Sequence, residues 1–307
     1  MGGESVNLNN PKITGSKTLQ TLIGDINRTS AAEYTVVGTI PVPDWRGVNN
    51  HFQGIAPLNG VVKITGQISA SADEWWTASF VEEGDPATVT AVWGTGTYDH
   101  AGGIQRLGDL LPIGLENNDG LATVAFYDVT NPRTTPSRPI YEVHVAGKAS
   151  AVAITNYKGS DHEEYAMLLV YQYDPRKFKV YRAKQRDIGG TTDNWDYIGE
   201  TNAIPDQDDD DQYQCFALAT QTSGDTDSVY LLGFRENEAL VLYTVSTGAT
   251  DYGQLGYVTA FNGWKGSEWR YGVGLQICGP QHIRIFGCSE DPSGDRDDYD
   301  FPIYYWG

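Results

Sequence analysis

From residue 52 onward the chain is a succession of short apolar runs separated by turns containing Gly, Ser and Asp, a pattern that predicts strands and very little helix. The runs fall at 52–58, 61–68, 75–82 and 88–93, then at 103–107, 111–115, 123–129 and 140–145. They continue at 151–156, 165–173, 178–183 and 195–199, at 215–220, 229–235, 239–245 and 255–261, and finally at 271–277, 282–288 and 301–306. A further strand-like run occupies 33–40. The residues ahead of it are rich in Asn, Gly, Ser and Thr, with only a weak apolar pattern at 19–26. Residues 1–32 are therefore expected to form an N-terminal arm, with loss of 1–25 tolerated, and 33–307 a single domain.

Five of the runs open with one local grammar: His51-Phe52-Gln53-Gly54-Ile55-Ala56, His100-Ala101-Gly102-Gly103-Ile104-Gln105, Lys148-Ala149-Ser150-Ala151-Val152-Ala153, Gln214-Cys215-Phe216-Ala217-Leu218-Ala219 and Trp269-Arg270-Tyr271-Gly272-Val273-Gly274. The fourth residue is always Gly or Ala and the fifth Ile, Val or Leu, as a strand crowded by identical neighbours requires. The openings start at 51, 100, 148, 214 and 269, intervals of 49, 48, 66 and 55 residues, in or just above the range for four-stranded propeller blades. The last unit is one strand short and 33–40 has no unit of its own. The expected architecture is thus an all-β, five-bladed β-propeller closed by an N-terminal strand in the last blade, which leaves no open sheet edge. A pair of β-sandwiches would also give regularly spaced strands, but leaves the small-then-apolar repeat unexplained.

Composition narrows the partners. A formal charge of −19 opposes nucleic acid and anionic membranes, both of which need Lys and Arg. No apolar run is long enough to span a bilayer, and no secretory leader is readable at Met1-Gly2-Gly3, so the chain is expected to be soluble, either cytoplasmic or secreted with its leader removed. Three cysteines do not make a disulfide framework; Cys215 reads as a buried strand residue, and a Cys278–Cys288 bridge is left open without being favoured.

In a ring of blades the innermost strands run along the axis, and the residues that open them converge at one mouth. The candidate ligand-binding set is His51, His100, Lys148, Gln214 and Trp269, backed in the preceding loops by Trp45, Asp99, Tyr213 and Trp264, with Asp44, Tyr98 and Glu268 nearby. Aromatic faces beside a few polar groups suit a sugar or small polar molecule. The competing reading makes them ordinary loop and strand-opening residues. His51 and His100 could bind a metal, but a histidine repeated for packing is the favoured account; no metal and no cofactor is expected. The acidic run 206–211 lacks the Gly and Glu of an EF-hand loop, and it, 295–300 and Asp161-His162-Glu163-Glu164 read as solvated surface. No nucleophile elbow or phosphate loop is present.

The segment from about 33 to 307 resembles the five-bladed β-propellers of certain animal lectins and of arabinanase- and invertase-type glycosidases. The resemblance is one of fold, and no functional residue carries over from it. The reading expected first is a non-enzymatic, lectin-like module binding a carbohydrate or small polar ligand at the mouth. The alternatives are a glycoside hydrolase using Asp44, Asp99 or Glu268, or a platform for a protein partner.

Overall fold

A computed structural model describes residues 6–37, 51–58, 61–68, 74–81, 87–93, 98, 100–117, 119–134, 136, 138–188, 194–204, 213–237, 239–264, 269, 272–288 and 301–307. Strands dominate them, as the apolar runs predict. A first strand, β1 (Ala32–Val37), precedes four strands in meander order, β2 (His51–Leu58), β3 (Val61–Ile68), β4 (Glu74–Val81) and β5 (Ala87–Trp93). A second unit comprises β6 (His100–Ile104), β7 (Leu110–Glu116), β8 (Ala122–Asp128) and β9 (Tyr141–His144). The third is β10 (Ala151–Lys158), β11 (Glu164–Gln172), β12 (Lys177–Lys184) and β13 (Asp196–Glu200), and the fourth β14 (Tyr213–Ser223), β15 (Thr226–Arg235), β16 (Ala239–Val245) and β17 (Leu255–Phe261). The last supplies β18 (Val273–Gly279), β19 (His282–Cys288) and β20 (Phe301–Trp306).

Burial grades outward within a unit. In the third, β10 and β11 are buried on both faces along most of their length, whereas β12 alternates and β13 is largely exposed. A strand covered on both faces reads as a continuous apolar run, which is what Tyr165 to Tyr171 is. The cores lie between successive units. Ala56 and Val61 pack with Ile113 and Ala125; Val124 and Phe126 with Ile154 and Leu168; Leu169 and Phe178 with Phe216 and Leu231; Leu232 and Leu240 with Ile285 and Trp306. The first strands of the units touch in order, β2 with β6, β6 with β10, β10 with β14, β14 with β18 and β18 with β2. The small residues at their openings permit this approach: a Cβ on Gly54 would lie 2.5 Å from the Ile104 nitrogen, and one on Gly102 would lie 1.9 Å from the Ser150 carbonyl oxygen.

Hydrogen bonding departs from five separate blades. β1 pairs antiparallel with β20, Ala32 opposite Tyr305, and also parallel with β5, Val36 opposite Ala87, so the first and last units form one continuous eight-stranded sheet. Because its two end strands, β18 and β2, also touch, that sheet curls on itself. Among the described residues a single parallel bridge, Ala151 to Gly103, joins the second and third units into another eight-stranded sheet, and the fourth unit stands as a four-stranded sheet.

The described part of the N-terminal segment packs against the units that follow, which bears on the expectation that 1–25 can be lost. Leu19 to Asp25 form helix α1, capped by the Thr18 side chain accepting from the Thr21 amide at 3.1 Å. Ile13, Leu19 and Ile23 are fully buried in the core shared with the fourth and last units. The segment is tied down along its length: Asp109 N–H donates to Asn7 O, Ile13 N–H to Thr220 O, Thr14 N–H to Pro280 O, and Lys12 Nζ reaches Asp227 at 2.8 Å. It straps four units together. Among the described residues no helix is long and apolar enough to cross a membrane.

Candidate functional site

The hairpin β6–β7 sets His100 directly opposite Glu116, and cross-strand neighbours of this kind bring side chains together on one face. His100 Nδ1 lies 3.2 Å from Glu116 Oε1. Two glycines admit the next unit. A Cβ at Gly114 would stand 2.3 Å from the Ala149 carbonyl oxygen, and Gly102 has the still closer approach to Ser150. The 149–150 turn therefore lies against β6 and β7, where Ala149 N–H donates to Glu116 Oε2 at 2.8 Å and Ser150 Oγ to the same oxygen at 3.3 Å. Lys148 Nζ is 3.7 Å from Oε1. Lys148 is itself held at the backbone by Gln172, whose Oε1 accepts the Lys148 amide at 3.0 Å while its Nε2 donates to the Lys148 carbonyl.

His100, Glu116, Lys148 and Ser150 line a cavity of about 300 Å³, with Gln53, Tyr171, Tyr173, Asp174 and Tyr213 completing the wall. Tyr171 leans on Phe216, ring centroids 4.8 Å apart, and Tyr213 packs on the same ring at 5.2 Å. The Tyr213 hydroxyl shares a 2.6 Å hydrogen bond with Tyr243 and accepts from Arg235 Nε at 3.0 Å, which fixes the ring. Tyr173 and Asp174 are exposed at the rim. Burial pushes the Glu116 carboxyl up, but the His100 hydrogen bond and charge, the Ala149 amide and Lys148 outweigh it and leave the group below its ordinary value. The cavity thus presents an almost wholly buried carboxylate that is ionised at neutral pH.

Of the residues expected at the mouth, His100, Lys148 and Tyr213 line this one cavity. Trp264 and Trp269 do not. Both have no exposed surface and sit in the core, 5.1 Å apart between ring centroids, with Trp306 5.6 Å from Trp264 and Phe234 5.4 Å from Trp269. They are packing residues, because a ring enclosed on all sides offers no face to a ligand. His51 and Gln214 occupy strand positions at the start of β2 and within β14. Trp45, Asp44, Asp99 and Glu268 lie outside the described residues, as do the runs 206–211 and 295–300. Cys215 and Cys288 are buried and Cys278 is exposed. Glu116, Asp174 and Tyr171 are not marked by the repeat, because it shows where inner strands begin and not where their hairpin partners end. Pairing β6 with β7 across the short turn at Leu107 to Leu110 would have placed Glu116 beside His100. Among the described residues no cluster of three or more His, Cys, Asp or Glu side chains is arranged to hold a metal.

No protein-family model matches the chain, and no curated protein matches it. Among solved structures it is similar to the GH43_1 enzyme from Xanthomonas citri complexed with xylose, at 10% identity over 93% of this chain and 92% of the enzyme, with a TM-score of 0.48. It is similar to a GH43 β-xylosidase/α-arabinofuranosidase from a compost microbial metagenome in complex with xylotriose, at 12% identity over 88% of this chain and 95% of the other, with a TM-score of 0.48. The Trypanosoma rangeli sialidase in complex with sialic acid is a third, at 9% identity over 86% of this chain and 46% of that one, with a TM-score of 0.46. These are enzymes bound to sugars, and against them the expectation of a non-enzymatic, lectin-like module is withdrawn.

Proposed function

We propose that the protein is a glycoside hydrolase acting in the His100–Glu116–Lys148 cavity. The observation that carries this reading is Glu116: a buried carboxylate held ionised by the His100 and Lys148 side chains and the Ala149 amide, facing a cavity whose rim bears a second carboxyl, Asp174. Cleavage of a glycosidic bond needs two carboxyl groups, one accepting a proton from water or attacking carbon, the other protonating the leaving oxygen. Glu116, unprotonated at neutral pH, takes the first role. Asp174 at the rim is assigned the second. Tyr173, exposed at the rim, offers a face on which a sugar ring stacks, and Gln53, Ser150 and Lys148 supply hydrogen bonds that orient its hydroxyls. A volume of about 300 Å³ suits one sugar unit inside with the remainder outside.

The same reading takes the five units as blades of one propeller, with β1 completing the last. The ordered contacts of the first strands and the pairing of β1 with β20 support it. On this arrangement the cavity sits at the axial mouth, on the side where β6 and β10 begin and β7 and β11 end.

Aryl glycosides of xylose and arabinose are the first substrates to test, since those sugars are named for the similar structures. Glu116→Gln should lower kcat by roughly 10²–10⁴-fold while the protein stays folded. Hydrolysis at the wild-type rate in that variant, or no hydrolysis across a broad glycoside panel, would sink the reading.

A further inference from the structure

Gln172, the last residue of β11, takes no part in the cavity wall, yet its side chain holds the turn that shapes that wall. The β10–β11 ladder ends at the pair Ala151 and Tyr171, so the backbone of residues 148–150 has left the regular pairing. Ser150 N–H still donates to the Tyr171 carbonyl at 3.2 Å. One step further out the Gln172 side chain takes over from backbone, its Oε1 accepting from the Lys148 amide at 3.0 Å and its Nε2 donating to the Lys148 carbonyl. A primary amide carries a donor and an acceptor as a peptide does, and here both meet the two backbone groups of one residue. The clamp is enclosed. Gln172 is 4% exposed, and a Cβ at Gly147, whose φ is +93°, would lie 2.7 Å from its Oε1.

The clamped turn is the one that serves Glu116, through the Ala149 amide, Ser150 Oγ and Lys148 Nζ. A hydrogen bond from a backbone amide weakens steeply once the N–H is turned away. The Lys148 ammonium stands 3.7 Å from the carboxylate on a side chain that is 42% exposed, a contact too loose to fix the turn by itself. The position of the 148–150 backbone therefore decides how well both reach Glu116. His100 approaches from β6, independently of the turn, while Tyr171, Tyr173 and Asp174 face the cavity from the end of β11 and just beyond it, and Tyr213 from β14. We infer that Gln172 is a positioning residue, which clamps the Lys148 backbone and thereby sets the ammonium and amide partners of the Glu116 carboxylate in place. Without the clamp, burial counts for more against the charged form, and the carboxyl moves up toward its ordinary range.

The test is a carbon NMR titration of the full chain labelled in its glutamates, following the Glu116 carboxyl, whose signal is assigned by its loss in Glu116→Gln. Gln172→Met, which keeps the bulk and loses both hydrogen bonds, is expected to titrate at higher pH than the wild type. Gln172→Asn, too short to reach both Lys148 groups, is expected to move the same way, and it carries the comparison if the Met variant does not fold. Gly274→Ala, which crowds the last unit, should lower the melting temperature and leave the Glu116 titration where it was. An unchanged titration in the Gln172 variants would overturn the inference. So would an equal shift in Gly274→Ala, which would make the effect one of a loosened fold. The kinetic arm alone rests on the hydrolase reading: with an aryl glycoside that is cleaved, the acid limb of kcat/KM should move with the titration. Absence of hydrolysis would sink that reading and leave the titration to decide the role of Gln172.

Discussion

Glu116 and Asp227 show at the residue scale how the charge of this acidic chain is made to work. Asp227, its side chain 2% exposed, is penalised by burial, but Lys12, Thr222 and the Lys158 amide outweigh this and hold the carboxyl below its usual range, as His100, Ala149 and Lys148 do for Glu116. A carboxyl with a depressed folded pKa binds protons less readily folded than unfolded. Its stabilisation is therefore present above the ordinary carboxylate value and is lost as pH falls through the folded one. Melting curves of wild type, Glu116→Gln and Asp227→Asn from pH 6 down to pH 3 should show the wild type losing stability with acid more steeply than either variant; parallel curves would mean that the two carboxyls carry no such linkage. Legibility at this scale was partial. His100 and Lys148 could be found because they open inner strands, and Tyr213 because it stands just before such an opening, whereas Glu116 is a strand-terminal acid whose meaning comes from register. Trp264 and Trp269 misled because a tryptophan at or just before a strand opening reads as a ligand platform until packing shows the ring covered.

The element scale was the most readable, since apolar runs bounded by turn residues and buried on both faces leave little ambiguity. What no run reveals is which edges pair, and so the parallel join of β1 to β5 and the single bridge of β6 to β10 were not foreseen. The close approaches along the inner strands make a sharp prediction. Gly102→Ala would drive a methyl group into the Ser150 carbonyl, and Gly274→Ala would place one 2.1 Å from the Ile55 carbonyl oxygen, so in each case backbone must move. Each should cost roughly 1–3 kcal/mol of stability. Gly102→Ala should in addition loosen the 149–150 turn from Glu116 and lower activity. Gly120→Ala, with nothing within reach of its new methyl, separates crowding from backbone conformation, because its φ of +81° leaves only the conformational penalty. Denaturant midpoints for the three variants would compare them directly, and a Gly102→Ala protein as stable as wild type would remove the basis for placing β10 against β6.

At the scale of the whole molecule, the N-terminal residues do two different jobs that truncation can separate. Residues 7–26 strap the second to the last units by burying Ile13, Leu19 and Ile23 and by the Lys12–Asp227 ion pair, while β1 fills the place between β20 and β5. The sequence made the second job visible, because an unassigned strand and an incomplete unit matched. It hid the first, because five buried apolar residues scattered among Asn, Ser and Thr make no period. Removing residues 1–26 should uncover apolar surface on the fourth and last units. Fully burying one aliphatic side chain stabilises by about 1.5–3 kcal/mol, so loss of Ile13, Leu19 and Ile23 is large against the ~5–15 kcal/mol of a whole domain. The product should melt at much lower temperature yet keep the pairing of β1 with β20. Extending the deletion through Val37 should also open the edges of β20 and β5 to other chains, so that the protein aggregates as well as destabilises. Thermal melts and light scattering on the two truncations read these effects separately. A deletion of 1–26 with wild-type stability would show that the strap's buried residues contribute nothing net, and a soluble, monomeric product lacking 1–37 would show that β1 does not protect the sheet it joins.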